Sequence, residues 1–313
     1  MKKLLSVLLM IATICAVASC SSKKLSNSEN SELLASETTD NGEVPASETT
    51  DNGEVPASDY IGGEFDPATN MRYTLIDGGK SYSVCPEGLP EVIKELVFPG
   101  EYKGLPVTEI KGKFFEHSIE TIIISEGIKV ISGFTFDSCF DIKNIYIPAS
   151  VIHIGEGAFN SRPTMGYPSF IKSNVIEKIV VAEGNLYYYV DGNCLIEKSS
   201  KKIILGCNSS VIPNDGSVKI IGYAAFANCH SIETIILPES IIELEDSAFD
   251  NCDNLKQVYI TSSISKDKKI VNFDEEIVFG YDSERFFYVP DAESLEIYSK
   301  LVRPHINIEI GIP

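Results

Sequence analysis

The sequence predicts a β-rich solenoid, a stack of coils of about 23 residues each, closed at its N-terminal end by a small β cap. Three observations predict it. Phe136 and Phe159 are 23 residues apart, as are Phe226 and Phe249. Apolar triplets recur at steps 0, +3 and +5, with Pro directly after the third member at Pro99, Pro148 and Pro238. A strand–turn–strand pattern stands just ahead of the first such triplet.

Residues 1–19 read as a secretory signal. Lys2 and Lys3 precede the apolar run Leu4 to Val17, and small residues lead to Cys20. The run is short for a membrane span of roughly 20 residues. A Cys directly after the small residues resembles a bacterial lipobox. That resemblance implies acylation of Cys20 and attachment to the outer membrane or cell surface of a bacterial envelope. A plain secretory signal is the alternative.

Residues 20–58 read as an acidic tether. The segment Ala35–Pro45 is repeated without change as Ala46–Pro56. Aromatic residues are absent from 21–58, and eight acids stand against two Lys. Such a segment buries too little apolar surface to order itself. As a flexible coil it spans roughly 35 Å.

Residues 59–94 read as the cap. Two alternating stretches, Arg72 to Ile76 and Ser81 to Val84, flank the turn Asp77-Gly78-Gly79. A solenoid needs such a cap because its first coil would otherwise expose an apolar end.

Residues 95–313 read as the solenoid. One half of each coil carries the 0, +3, +5 triplet, as in Ile119/Ile122/Ile124, Ile142/Ile145/Ile147 and Leu255/Val258/Ile260. The step from +3 to +5 is the in–out alternation of a strand, and the following Pro ends it. The other half carries apolar residues at 0, +3 and +8, the last always Phe, as in Val151/Ile154/Phe159 and Ile241/Leu244/Phe249. Phe115 closes an earlier set of this kind.

The stretches Ile142 to Pro148, Val151 to Gly155, Ile220 to Cys229 and Ile232 to Pro238 resemble the BspA-like leucine-rich repeat surface proteins of bacteria. Asn185 to Gly192 resembles the hairpin insert many of them carry. Phe287 to Pro290 followed by Tyr298 resembles their last coil and short C-terminal helix. The resemblance implies a leucine-rich repeat fold, a right-handed coil array displayed outside the cytoplasm. It also implies binding to a host or other extracellular protein and no catalytic site.

The formal net charge of −19 opposes binding to nucleic acid, which relies on Lys and Arg against phosphates. His117, His153, His230 and His305 show no zinc-type spacing. A nucleophile elbow and a phosphate-binding glycine loop are both absent from the sequence. No metal, cofactor or enzymatic activity is expected, and the chain is expected to be a monomer. Asp250 to Asn254 is rich in oxygen ligands but lacks the Gly and distal Glu of a calcium loop, which favours a tight turn.

Cys139, Cys229 and Cys252 each fall three residues after a repeat Phe, as expected for a buried ladder. A Cys229–Cys252 or Cys194–Cys207 bridge is the alternative.

Candidate binding residues are aromatics on the outward side of the strands, Tyr146 and Tyr259, and aromatics of the inserts, Tyr167, Phe170 and Tyr188. Tyr is favoured at interfaces, and loops on a rigid scaffold often carry function. Packing of Tyr187 to Tyr189 within the hairpin insert is the competing reading. The partner class expected is a protein, with a cell-surface glycan as the alternative.

Overall fold

The computed structural model describes residues 63–112, 118–136, 139, 141–159, 174–262, 270, 278–280, 285–302, 304 and 306–311. All of them belong to one compact unit, Gly62–Pro313. The signal, Cys20, the tether, Phe115, His117, Tyr167, Phe170 and His305 lie outside the described residues.

The cap is an antiparallel meander of β1 (Glu64–Asp66), β2 (Met71–Ile76) and β3 (Ser81–Pro86). Its turn at Asp77, Gly78 and Gly79 holds all three residues at positive φ, a conformation glycine adopts without steric cost. Met71, Tyr73, Tyr82 and Val84 form the inner side. The expected cap boundary at residue 94 falls inside β4 (Val92–Phe98), because Ile93, Leu96 and Phe98 already belong to the first inward triplet.

Strands β4, β7 (Ser118–Ile124), β9 (Asn144–Ile147) and β11 (Lys178–Val181) form a parallel ladder on one side of the coils. The register sets equivalent repeat residues opposite one another: Leu96, Ile122, Ile145 and Ile179 form one inward row. On the other side, β6 (Leu105–Ile110), β8 (Val130–Ile131) and β10 (His153–Ile154) stack in parallel and continue the cap through β3. The short β5 (Glu101–Tyr102) pairs with β6.

The same two-sided pattern resumes after residue 200. Strands β16 (Thr234–Leu237), β18 (Gln257–Ile260) and β19 (Phe286–Val289) form one side. Strands β15 (Ile220–Ile221) and β17 (Glu243–Leu244) form the other. Helix α1 (Ala292–Tyr298) follows β19, with the Asp291 carboxylate accepting from Ser294 N–H at its N-terminus. After the helix the chain adds one more parallel strand, β20 (Asn307–Ile310), which the sequence reading omits.

The repeat Phe rings fill the interior as a file. Phe136 stacks on Phe159 at 5.1 Å, Phe226 on Phe249 at 5.2 Å and Phe249 on Phe279 at 5.1 Å. Phe279 continues the file from a lengthened coil, 30 residues after Phe249 and outside the 23-residue period.

Between the two halves lies a second meander: β12 (Tyr188–Asp191), β13 (Cys194–Glu197) and β14 (Lys202–Leu205). Strand β14 leads into β15 in parallel. Both faces of the meander are covered. Tyr188, Leu195 and Leu205 pack with the N-terminal core, whereas Cys194, Ile196 and Ile203 pack with the C-terminal core. The insert is therefore a wall dividing the interior into two apolar clusters.

All six cysteines among the described residues are free thiols. Cys139, Cys229 and Cys252 are buried as the ladder reading expects. Cys194 and Cys207 belong to different apolar clusters, and both are free. Burial pushes the Cys194 and Cys252 thiols up to about 12. Thiols of that kind stay protonated and unreactive at neutral pH. Alkylation of the native chain at pH 8 followed by peptide mapping is expected to leave Cys194, Cys229 and Cys252 unmodified until denaturant is added. Rapid native labelling of these three would contradict the packing described.

Candidate binding face

The outward side of the strand ladders is read from the register. Alternation sends the +3 and +5 residues of each triplet inward, so the residue between them faces solvent. In the N-terminal ladder that row runs Val97, Ile123, Tyr146, Val180. In the C-terminal ladder it runs Ile236, Tyr259, Tyr288, Glu309. The row is apolar or aromatic at every place but the last, and Val97 and Ile236 are each 43% exposed. Two residues earlier a row polar at every place but Phe286 runs beside it: Glu95, Thr121, Asn144, Lys178, then Thr234, Gln257, Phe286, Asn307.

The polar row is tied across coils. Asn144 Nδ2 donates to Thr121 Oγ1 at 3.3 Å, and Thr234 Oγ1 donates to Gln257 Oε1 at 3.2 Å. Lys143 lies 3.6 Å from Glu120, an exposed pair that adds little stability. In the apolar row Tyr259 and Tyr288 stack with centroids 4.6 Å apart, and Phe286 lies 6.5 Å from Tyr288.

Tyr146 and Tyr259 thus lie on the outward face, each half-buried. Tyr188 does not. It is 1% exposed, its hydroxyl accepts from Ile154 N–H at 2.9 Å, and burial pushes that hydroxyl up to about 12. Its place on the wall strand turns it into the N-terminal core, and the packing reading of the insert is correct for this residue. Its neighbour Tyr187 is 45% exposed.

The sequence reading misses Ile123, Val180, Ile236, Phe286 and Tyr288 on this face. For all of these but Phe286 the signal is present, since the residue between +3 and +5 is apolar in strand after strand. An apolar residue beside two inward ones simply reads as more core.

Other candidates resolve into structure. At the Asp250 to Asn254 corner, Asn251 takes positive φ and donates from Nδ2 to Asn228 Oδ1 at 3.1 Å, and Asn254 Nδ2 donates to the His230 carbonyl. These are turn contacts between adjacent coils. His230 Nδ1 pairs with Asp253 at 2.7 Å. Among the described residues, no group of three or more His, Cys, Asp or Glu is placed to hold a metal ion.

Comparison with known proteins agrees with this architecture. The BspA type leucine rich repeat region matches in six copies over residues 93–183 and 197–271, more than half of the chain. The structure is similar to a leucine-rich repeat protein of Eubacterium ventriosum at 15% identity and a TM-score of 0.40, covering 72% of this chain and 77% of that one. It is similar to a leucine-rich repeat protein of T. pallidum at 18% identity and a TM-score of 0.39, covering 78% and 100%. It is also similar to a leucine-rich repeat protein of Bacteroides ovatus at 20% identity and a TM-score of 0.32, covering 71% and 54%. No curated protein matches the sequence. With its strand triplets, its file of stacked Phe rings and these repeat matches, the chain belongs to the BspA-type leucine-rich repeat family.

Proposed function

We propose that this chain is a lipid-anchored protein of a bacterial cell surface that captures another extracellular protein, as an adhesin does. The observation that carries the reading is the outward apolar row. A strand face open to water ordinarily alternates apolar-in with polar-out. Here Val97, Ile123, Tyr146 and Val180, and again Ile236, Tyr259 and Tyr288, keep an apolar stripe on the solvent side. Stripes of this kind rimmed by polar residues mark protein interaction sites. The anchor is supported by the apolar run Leu4 to Val17 ending at Cys20, and the acidic segment 21–58 supplies reach from the membrane.

A photo-crosslinking residue placed at 146 or 259 in intact cells tests the face. A partner adduct is expected from these positions, and a much weaker one from positions 153 and 243 on the opposite side. Adducts from 153 and 243 alone would assign binding to the other face. In the same cells Cys20→Ser is expected to abolish palmitate labelling and to release the chain from the membrane fraction. Retained labelling would refute the anchor while leaving the binding face standing.

A further inference from the structure

We propose that a groove on the outward face of the C-terminal ladder is a saccharide subsite for a neutral polysaccharide. The groove is bordered by Glu233, Thr234, Lys256, Gln257, Phe286 and Asn307, with Tyr288 beside it. It occupies ≈ 630 Å³, within the ~300–1,000 Å³ range of small-ligand sites. That space suits a few sugar rings rather than the face of a folded protein.

Its centre is aromatic. Phe286 is 37% exposed, and its ladder neighbours are two amides, Gln257 and Asn307. In the N-terminal ladder the same row holds Glu95, Thr121, Asn144 and Lys178. The aromatic centre is thus peculiar to the C-terminal groove. A hexose presents one face of C–H groups, which lies well against an aromatic ring, and a rim of hydroxyls that need hydrogen-bond partners.

The groove supplies such partners uncommitted. Among the described residues the Gln257 side chain is engaged only as acceptor from Thr234, which leaves its two amide N–H donors available there. The side chains of Glu233, Lys256 and Asn307 make no hydrogen bond or ion pair among the described residues. A hydroxyl-rich ligand can satisfy all of them, whereas an apolar protein surface laid here would leave them unpaired at a cost.

Charge decides the kind of glycan. The chain carries −19 overall, Glu233 sits at the groove and Glu309 at its end, against Lys256 as the bordering cation. Acidic polysaccharides are repelled, and neutral ones are not. The groove adjoins the protein-capture stripe and shares Tyr288 with it, but the proposal does not rest on that reading.

Affinity electrophoresis tests the proposal. The full-length chain, in a polyoxyethylene detergent, is run in native gels containing barley β-glucan, konjac glucomannan, yeast mannan or the acidic control alginate. At least one neutral polysaccharide is expected to retard it and alginate is not. Phe286→Ala is expected to weaken retardation roughly tenfold or more, as a central contact residue does. The double variant Gln257→Ala/Asn307→Ala is expected to weaken it too, and His153→Ala on the opposite side is expected to leave it unchanged. Phe286 faces outward, so circular dichroism is expected to show both groove variants folded. No retardation by any neutral polysaccharide, retardation by alginate alone, or full retardation of Phe286→Ala overturns the proposal. Loss of protein crosslinking from position 259 in Phe286→Ala, without any glycan retardation, would reassign the groove to the protein partner.

Discussion

Asn185→Asp is expected to destabilise the folded chain strongly at neutral pH, despite changing one atom of the side chain. Asn185 is 3% exposed at the entrance to the wall. Its Nδ2 donates to the carbonyls of Pro148 at 2.8 Å and Val151 at 3.1 Å. Its Oδ1 accepts from the N–H groups of Tyr187 and Tyr188, each at 2.8 Å. One amide therefore joins the start of the insert to backbone 34 and 37 residues earlier. Asn185→Ala removes all four bonds. Unpaired buried groups cost about 1–3 kcal/mol each, less where water reaches them. A total loss of about 3–5 kcal/mol is expected. Asp keeps the two acceptor contacts but turns a second oxygen toward two carbonyl oxygens.

The carboxyl of the Asp variant is therefore favoured in its protonated form when folded, with its pKa above the unfolded value. The native state then binds more protons than the unfolded state. Stability linked to this group is present at low pH and lost as pH rises from the unfolded value through the folded one. Urea midpoints of the variant, referred to the parent at each pH, are expected to be closer to the parent at pH 4.5 than at pH 7.5. A variant indistinguishable from the parent at pH 7.5 would mean that the Nδ2 bonds contribute nothing.

Periodic burial made the interior legible in the sequence. The inward triplets and the Phe file recur because every coil must fill the same space, and of the strand triplets only Val181 is half-buried rather than buried. The cysteine ladder was legible for the same reason. The wall was not. Cys194, Leu195 and Ile196 are all buried, and a run apolar on both faces carries no alternation to say which core each side chain enters. Sequence alone leaves binding and packing both open for Tyr188, because neighbouring tyrosines divide between surface and core: Tyr187 is exposed and Tyr188 buried. Strand β20 escaped because it follows a helix instead of a repeat Phe. The outward row was visible as composition only, because β propensity favours the same residue types as binding does. Partner chemistry leaves no such period, so the groove at Phe286 needed the register before its residues came together.

The wall also governs how the molecule is expected to come apart. Phe249 is fully buried and lies between the rings of Phe226 and Phe279. Truncating a buried Phe to Ala costs about 3–5 kcal/mol. In a stack of repeats each coil contacts only its neighbours, so such a loss begins locally. Here it has a structural boundary: Phe226, Phe249 and Phe279 belong to one apolar cluster, and Phe98, Phe136 and Phe159 to the other. In Phe249→Ala, hydrogen exchange is expected to accelerate at ladder amides of Ile235, Leu244 and Val258, while those of Ile122 and Ile145 keep the parent's protection. Phe136→Ala is expected to produce the mirror image. The wall strands, which contribute side chains to both clusters, should open with whichever half is weakened first. Uniform acceleration across both ladders in Phe249→Ala would mean that the halves unfold as one unit. The twin faces of β13 would then couple the two cores. Confinement of the loss to the C-terminal half would instead show that an insert in a repeat array can divide its cooperativity.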